Sequence, residues 1–451
     1  MKREGSTEAP TRHPIDWQSE EFYDQAALDE ELRRQFDICH GCRRCFNLCD
    51  SFPRLFDLID ESASEELDTV DSADFAPIVE ACTLCDLCFM TKCPYVPPHE
   101  FNLDFPHLML RARAVELKEK GKAPFVQNQL AQMDRNGEMI APIAGVANWA
   151  SKTTNAITRP VLEAVAGIDK KVDLPKFAGK TFMKRAKEDQ KKGLLDANPN
   201  GPALGRKAII YATCAVNYNN PGVGDAAIRV LTHLGVETTT DYPGCCGMPF
   251  LEQGDIAKVA ANAAKVAAAM RPLVDAGNDI ITLTASCGLM FKFEWPLILP
   301  DNEDVKALSA ATYDISEYVV GIANKEGLLD GLQPLHGGVA MHMACHARAQ
   351  NVGPKSAELL RFIPEAKVTV IERCSGHGGT FGVLKETHDV AMKIGKPTGR
   401  LVAKSEAETV CSDCPLAAKH LVQVVENLDG VENVPEAAHP IEVFARAYQL
   451  V

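Results

Sequence analysis

No run of eighteen or more apolar residues occurs anywhere in the 451-residue chain, so nothing in it reads as a membrane-spanning helix. The opening stretch, Met1 to Pro10, has no apolar core, which predicts no secretory signal and a cytoplasmic location. Basic excess is missing too. Lys and Arg number 47 against 61 Asp and Glu, a net charge of -14, and phosphate backbones need a basic face, so nucleic acid is not the expected partner. No Ser-His-Asp set or carboxylate pair is supported by spacing alone. A convincing dinucleotide fingerprint is also lacking. Gly222-Val-Gly224-Asp-Ala-Ala227 starts well past the end of its strand, and a cysteine occupies the strand tip. It reads as a loop and a helix start, so neither flavin nor NAD is expected.

Cysteine is what the chain does have. It holds 16, and in a reducing compartment that number means metal or redox chemistry rather than disulfides. Half of them lie between Cys39 and Cys93, in two runs of one design. Cys39, Cys42 and Cys45 are followed by Cys49; Cys82, Cys85 and Cys88 are followed by Cys93 and Pro94. Three thiolates at two-residue gaps can meet three corners of an iron-sulfide cube, while the fourth corner points away. In two-cluster ferredoxins the fourth cysteine of each run serves the other cluster. The spacing therefore predicts one 4Fe-4S cluster on Cys39, Cys42, Cys45 and Cys93, and a second on Cys82, Cys85, Cys88 and Cys49. Asp50 stands where this pattern usually has proline. Zinc would call for two pairs of ligands instead.

The rest of the chain divides by pattern. Residues 1–35 are acidic and read as a solvated arm, and 36–110 as a helical ferredoxin domain. Residues 111–204 read as a helical connector without cysteine. Within it, the apolar stretch Met139 to Ile168 reads as packing against the other domains, with a membrane interface as the alternative. Lys176 to Lys192 reads as a basic surface linker. From about 205 the pattern turns to strands followed by helices, which predicts parallel sheets. Strands over 208–213, 236–240 and 279–284 lead to cysteines. So do those over 339–343, 367–371 and 408–410.

This second half is an internal repeat, 205–334 and 335–451. The first copy carries Cys214, Cys245-Cys246-Gly and Cys287. The second carries Cys345, Cys374-Ser375-Gly, Cys411 and Cys414. Matching Cys214 to Cys345, Cys245 to Cys374 and Cys287 to Cys414 gives a slowly drifting offset. Open α/β sheets place ligand sites at the strand ends where these cysteines fall. His342, His346 and His377 lie near the second set, and ordinary hydrogen bonding is the plainer expectation for them.

These motifs, with Cys287-Gly-Leu-Met-Phe-Lys-Phe-Glu-Trp-Pro296 and His439-Pro-Ile-Glu-Val-Phe-Ala-Arg-Ala-Tyr448, resemble the CCG-repeat iron-sulfur proteins. That family includes the iron-sulfur subunits of anaerobic glycerol-3-phosphate dehydrogenase and of glycolate oxidase. It is related to the CCG-bearing subunit of heterodisulfide reductase. The resemblance implies an α+β multidomain fold: a helical two-cluster ferredoxin domain, then two α/β CCG repeats with parallel sheets. It implies an electron-transfer subunit between a flavoprotein dehydrogenase and a quinone or other acceptor, with peripheral contact at the inner face of the membrane. A disulfide-reducing enzyme, or a donor to a peroxide-reducing diiron protein, are the alternatives. Candidate further iron-sulfur centres are Cys214, Cys245, Cys246 and Cys287, and Cys345, Cys374, Cys411 and Cys414. Neither copy has the five thiolates of the disulfide-cleaving relatives: Met290 and Ser375 interrupt the sets, or Ser375 alone if Cys411 and Cys414 close the second.

Overall fold

Asp24 starts the first long helix, Gln25–Cys42, by accepting a hydrogen bond from the Ala27 N–H at 2.7 Å. Arg43 ends it in the left-handed region, at φ 53°, with its N–H on Cys39 O. Cys39 and Cys42 thus sit one turn apart on the last turn of a helix rather than in an open loop. The computed structural model describes residues 5, 6 and 8–451; Met1 to Glu4 and Thr7 of the expected arm lie outside the described residues. The chain forms two units. One comprises the residues up to Ala131, with Gly247–Ala261 and Trp295–Asp301; the other comprises the rest.

The first unit is helical, as the sequence predicts. Its core is aromatic: Phe36 meets Phe75 edge-on at 5.0 Å, and Phe52 lies 4.7 Å from Phe105. The expected domain end at residue 110 falls inside a helix, Phe105–Lys120. The arm is not simply solvated. Ile15 N–H donates to Leu297 O at 2.8 Å, and the Trp17 indole N–H donates to Ile298 O at 2.9 Å.

The second unit holds two four-stranded parallel sheets. The strands of the first are β1 (Lys207–Tyr211), β2 (Glu237–Asp241), β3 (Asp279–Thr282) and β4 (Thr312–Asp314), in the order β2-β1-β3-β4. Those of the second are β5 (Val339–His342), β6 (Val368–Ile371), β7 (Thr409–Ser412) and β8 (Glu436–Ala438), in the order β6-β5-β7-β8. Identical orders are what a duplicated unit gives. One apolar core takes side chains from both sheets, Ile210 and Ile281 with Met341 and Cys411. A smaller one backs the second sheet through Ala340 and Val410, on the opposite face, as strand alternation requires.

Three expectations change here. The stretch 176–192 is no linker: Thr181 caps the helix Phe182–Lys191, and Phe182 is fully buried. Gly222-Val-Gly224, read as a loop and a helix start, is helix throughout, since it lies inside the helix Pro221–His233, and a Cβ on Gly224 would come within 2.5 Å of the Phe182 ring. Gly224 is there for close packing. Met139 to Ile168 does not pack as a core stripe, because most of its large apolar side chains face outward.

Candidate iron-sulfur centres

In the first unit the fourth cysteine of each run lies with the first three of the other. Cys39, Cys42, Cys45 and Cys93 line one recess, enclosing about 310 Å³ of empty and solvent space, with Ile38, Phe52, Phe56 and Pro94 among its walls. Burial pushes the Cys39 thiol up, and Cys93, Cys45 and Cys42 add to the rise. Burial, then Cys93 and Cys42, push Cys45 up to about 12. In the other group, burial and then Cys82 raise Cys49 to about 12. Cys88 is raised by burial, then by Cys85, Cys82, Cys45 and Cys49. Cys45 and Cys88 feel one another, so the two groups are neighbours.

Local backbone explains the gathering. In the second run Leu84 and Asp86 take left-handed φ values of 47° and 61°, which turn the chain between successive cysteines. Cys49 precedes the helix Ser51–Asp60 and accepts the N–H groups of Ser51 and Phe52. That helix replaces the usual proline after the fourth cysteine, and Asp50 is held by Arg54 at 2.6 Å. Cys93 likewise accepts the N–H groups of Tyr95 and Val96.

Sequence reasoning missed the side chains that brace the runs. Arg12 donates to Asp86 at 2.7 Å and to Asp104 at 2.8 Å, and lies over the Phe89 ring at 4.4 Å. Burial alone would raise the Asp104 carboxyl, but Arg12 and His107 outweigh it and hold it below the ordinary range. Arg113 donates to Val79 O at 2.7 Å, to Cys82 O and to Glu252 O at 2.8 Å, fixing the entry to the second run. An aspartate between two cysteines, as in Cys85-Asp86-Leu87-Cys88, was the only signal of such a partner.

In the second unit Cys214, Cys245, Cys246 and Cys287 converge. Cys214 hydrogen-bonds Cys245, and Cys246 bonds both Cys245 and Cys287. Cys214 opens the helix Cys214–Tyr218, after Thr213 at φ 45°. A β-branched residue there is strained, and the strain is held by full burial and by the contact of its hydroxyl with Thr284 at 3.2 Å. Asp134, another residue the sequence did not flag, accepts the Cys245 N–H at 2.9 Å and the Tyr242 hydroxyl. Burial raises its carboxyl.

The second copy is less complete. Cys345 opens the helix Cys345–Ala349, and Cys374 accepts the Gly376 N–H at 3.3 Å. Gly376 must be glycine, since a Cβ would strike the Ala391 carbonyl. Cys411 does not join them. It is fully buried in β7, between Met341 and Ala438, and belongs to the apolar core. Its charged neighbours are Glu442, Asp413, Arg446 and Glu436, and no thiol is among them. Sheet register also revises the matching of the copies. Ala208 and Val339, equally far before Cys214 and Cys345, pair with Asp279 and Thr409. Counted onward, Cys287 corresponds to Ala417 and Cys414 to Thr284, so the Cys287–Cys414 match was wrong. Each copy keeps a different half of one Cys-x-x-Cys. Burial raises the Cys414 thiol, with Asp413 and Cys287 among its charged neighbours.

The histidines take structural places. His342 bonds Ser412 and Arg373 O, both at 3.0 Å, so both ring nitrogens are used. His346 bonds Ser286 at 2.9 Å, and the His377 ring lies tilted against His420 at 5.9 Å.

The CCG cysteine-rich domain matches this chain twice, over residues 208–292 and 339–419. Both matches fall on the repeats that carry the two parallel sheets of the second unit. Among similar proteins, the chain is 28% identical to the C-subunit of the anaerobic glycerol-3-phosphate dehydrogenase of Escherichia coli K12, over 75% of this chain and 81% of that protein. It is 29% identical to lactate utilization protein A of Bacillus pumilus, over 39% and 75%. It is 26% identical to the B-subunit of the fumarate reductase (CoM/CoB) of Methanothermobacter marburgensis, over 57% and 49%.

Among the described residues, no three His, Cys, Asp or Glu side chains form the compact shell of a single metal ion. The chain instead gathers thiols in sets of four, two in its first unit and one in its second, and burial, with the neighbouring thiols, raises Cys39, Cys45, Cys49 and Cys88. Thiolates of that number, around a recess rather than a point, fit an iron-sulfur cluster.

Proposed function

We propose that the chain is the electron-transfer subunit of an oxidoreductase, holding two 4Fe-4S clusters in its first unit. Cys39, Cys42, Cys45 and Cys93 are the ligands of one; Cys82, Cys85, Cys88 and Cys49 are those of the other. The observation that carries this reading is the exchange of fourth cysteines between the runs, Cys93 lining the recess of Cys39, Cys42 and Cys45 while Cys49 lies near Cys82 and Cys88. Each cluster, when bound, supplies a one-electron site whose potential depends on burial and hydrogen bonds to sulfur. The chain's residues set both. Phe52 and Phe56 exclude water from the first recess, and backbone N–H groups on Cys49 and Cys93 favour charge on those sulfurs.

Cys214, Cys245, Cys246 and Cys287 are assigned a third centre. Cys345, Cys374 and Cys414 make a less complete fourth set, without Cys411. The electron donor is a flavoprotein dehydrogenase for a 2-hydroxy acid or glycerol 3-phosphate, in keeping with the names of the relatives, and the acceptor is a quinone or another redox protein.

The test is anaerobic purification with iron and sulfide analysis and electron paramagnetic resonance. About eight iron atoms should come from the first unit alone, as two cubes require. Zinc in their place would end the reading. Parent and Ser375→Cys are then assayed for disulfide reduction with a low-potential donor. Catalytic turnover by the parent would replace the carrier with a disulfide reductase.

A further inference from the structure

Two short helices in the second unit are built inside out. They are Ala144–Ala150 and Thr158–Ala166, joined by a turn. The turn is well made: Thr158 Oγ1 donates to Ala150 O, and Asn155 Nδ2 donates to Trp149 O at 3.3 Å. Its inner face holds a guanidinium. Arg159 is fully buried and donates to Asp169 O at 2.6 Å and Val172 O at 2.9 Å. Its outer face is aliphatic and aromatic. Ile157 and Val165 are each 77% exposed, Val146 is 64% exposed and Trp149 is 55% exposed, with Ile143 and Val161 beside them in sequence and equally bare. Ile157, Val161 and Val165 recur every four residues, so they form one stripe. A water-facing helix shows the opposite arrangement, and exposed apolar patches of this kind mark a surface that something covers.

Charge identifies the cover. From Met139 to Leu162 there is no Asp or Glu, in a chain of net charge -14, and Glu163, the one acid of the second helix, is mostly buried and faces Lys385 at 3.9 Å. The one exposed charge in that stretch is Lys152, in the turn itself. Helices of seven and nine residues are far too short to cross a bilayer, and among the described residues no helix is long and apolar enough to do so. They suit its interface, where aliphatic side chains enter the acyl boundary, tryptophan sits at headgroup depth and lysine meets phosphate. We propose that this hairpin is a lipid-interface docking surface, by which the protein lies on an anionic membrane without spanning it. The electron-carrier reading explains why such a surface is useful, but lipid binding does not depend on it.

The test floats the full chain, purified with its metal, on vesicles of phosphatidylcholine alone and of phosphatidylcholine with phosphatidylglycerol. The chain should float with both, more with the anionic lipid. Its tryptophan emission should shift to the blue, and Trp149→Phe should abolish that shift. Ile157→Glu and Val165→Glu should each weaken binding roughly tenfold or more, because a buried branched side chain is replaced by a charge. Circular dichroism and iron content should be unchanged. A parent that stays unbound with both vesicles overturns the proposal, as do charge variants that bind as well as the parent. If the parent is a dimer that Ile157→Glu dissociates and vesicles are ignored, the cover is a second copy and the proposal fails. A parent that floats but holds no reducible iron overturns the electron-carrier reading alone.

Discussion

Replacing Arg113 with alanine should loosen one cluster site and spare the other. Its guanidinium donates to Val79 O and Glu252 O at 2.7 and 2.8 Å, and to Cys82 O within the second run. A hydrogen bond from a charged donor contributes about 1.5–3 kcal/mol, and Arg113 is half-buried, so screening trims the sum to about 2–4 kcal/mol. Val79 O keeps the Cys82 N–H, which limits the damage at that carbonyl. The loss falls on the segment carrying Cys82, Cys85 and Cys88. If the segment opens locally to release iron, 2–4 kcal/mol corresponds to roughly 30- to 1,000-fold faster release. The assay is anaerobic iron transfer to a ferrous chelator, followed by absorbance. The parent should release the iron of its first unit slowly; in Arg113→Ala the half bound by Cys82, Cys85, Cys88 and Cys49 should leave quickly while the other half keeps the parent's rate. Arg113→Lys should fall between, since an ammonium cannot fork to three carbonyls. Equal acceleration of both halves, or of neither, would refute the argument.

Cys49→Ser combined with Cys85→Ser should cost no more iron than Cys85→Ser alone, whereas Cys49→Ser with Cys42→Ser should strip both sites; the reverse pattern in iron analysis sinks the crossed ligation. Cys411→Ala should leave iron and its resonance signals intact while lowering unfolding free energy by about 1 kcal/mol, the cost of a small cavity; iron loss comparable to that of Cys287→Ala would return Cys411 to a metal centre. Gly224→Ala should destabilise by about 1–3 kcal/mol in urea titration through its clash with Phe182, with iron content unchanged. An unaltered midpoint would show that the helix is free to shift.

The gathering of the two cysteine runs is readable because three thiols at two-residue gaps fit one short stretch of chain, and the proposed cluster ligation rests on that spacing. The repeat is readable because β1 and β5 each lead to a cysteine opening a helix. Cys411 misleads for a physical reason: Thr-Val-Cys-Ser is a buried strand in which cysteine behaves as a small apolar residue, and only sheet alternation shows that it faces the core. The drifting offset misaligns Cys287 because loops vary in length, while paired strands do not. Arg12 lies in an arm that reads as solvated, and nothing local ties it to Asp86, 74 positions away. The outward apolar face at 143–165 reads as core because helical periodicity gives a stripe without saying which side meets water.

The first unit is stitched from three stretches of chain, the last ending at Asp301. On the ribosome, all eight of its cysteines have been made once Cys93 is added, yet the carbonyls that receive Ile15 and Trp17 belong to Leu297 and Ile298. At roughly 5–20 residues per second, that leaves on the order of 10–40 s in which the thiols exist before their enclosure can be finished. During that interval the nascent cysteines are open to iron delivery, and equally to oxidants. A fragment cut after residue 131 would remain in that unfinished condition permanently.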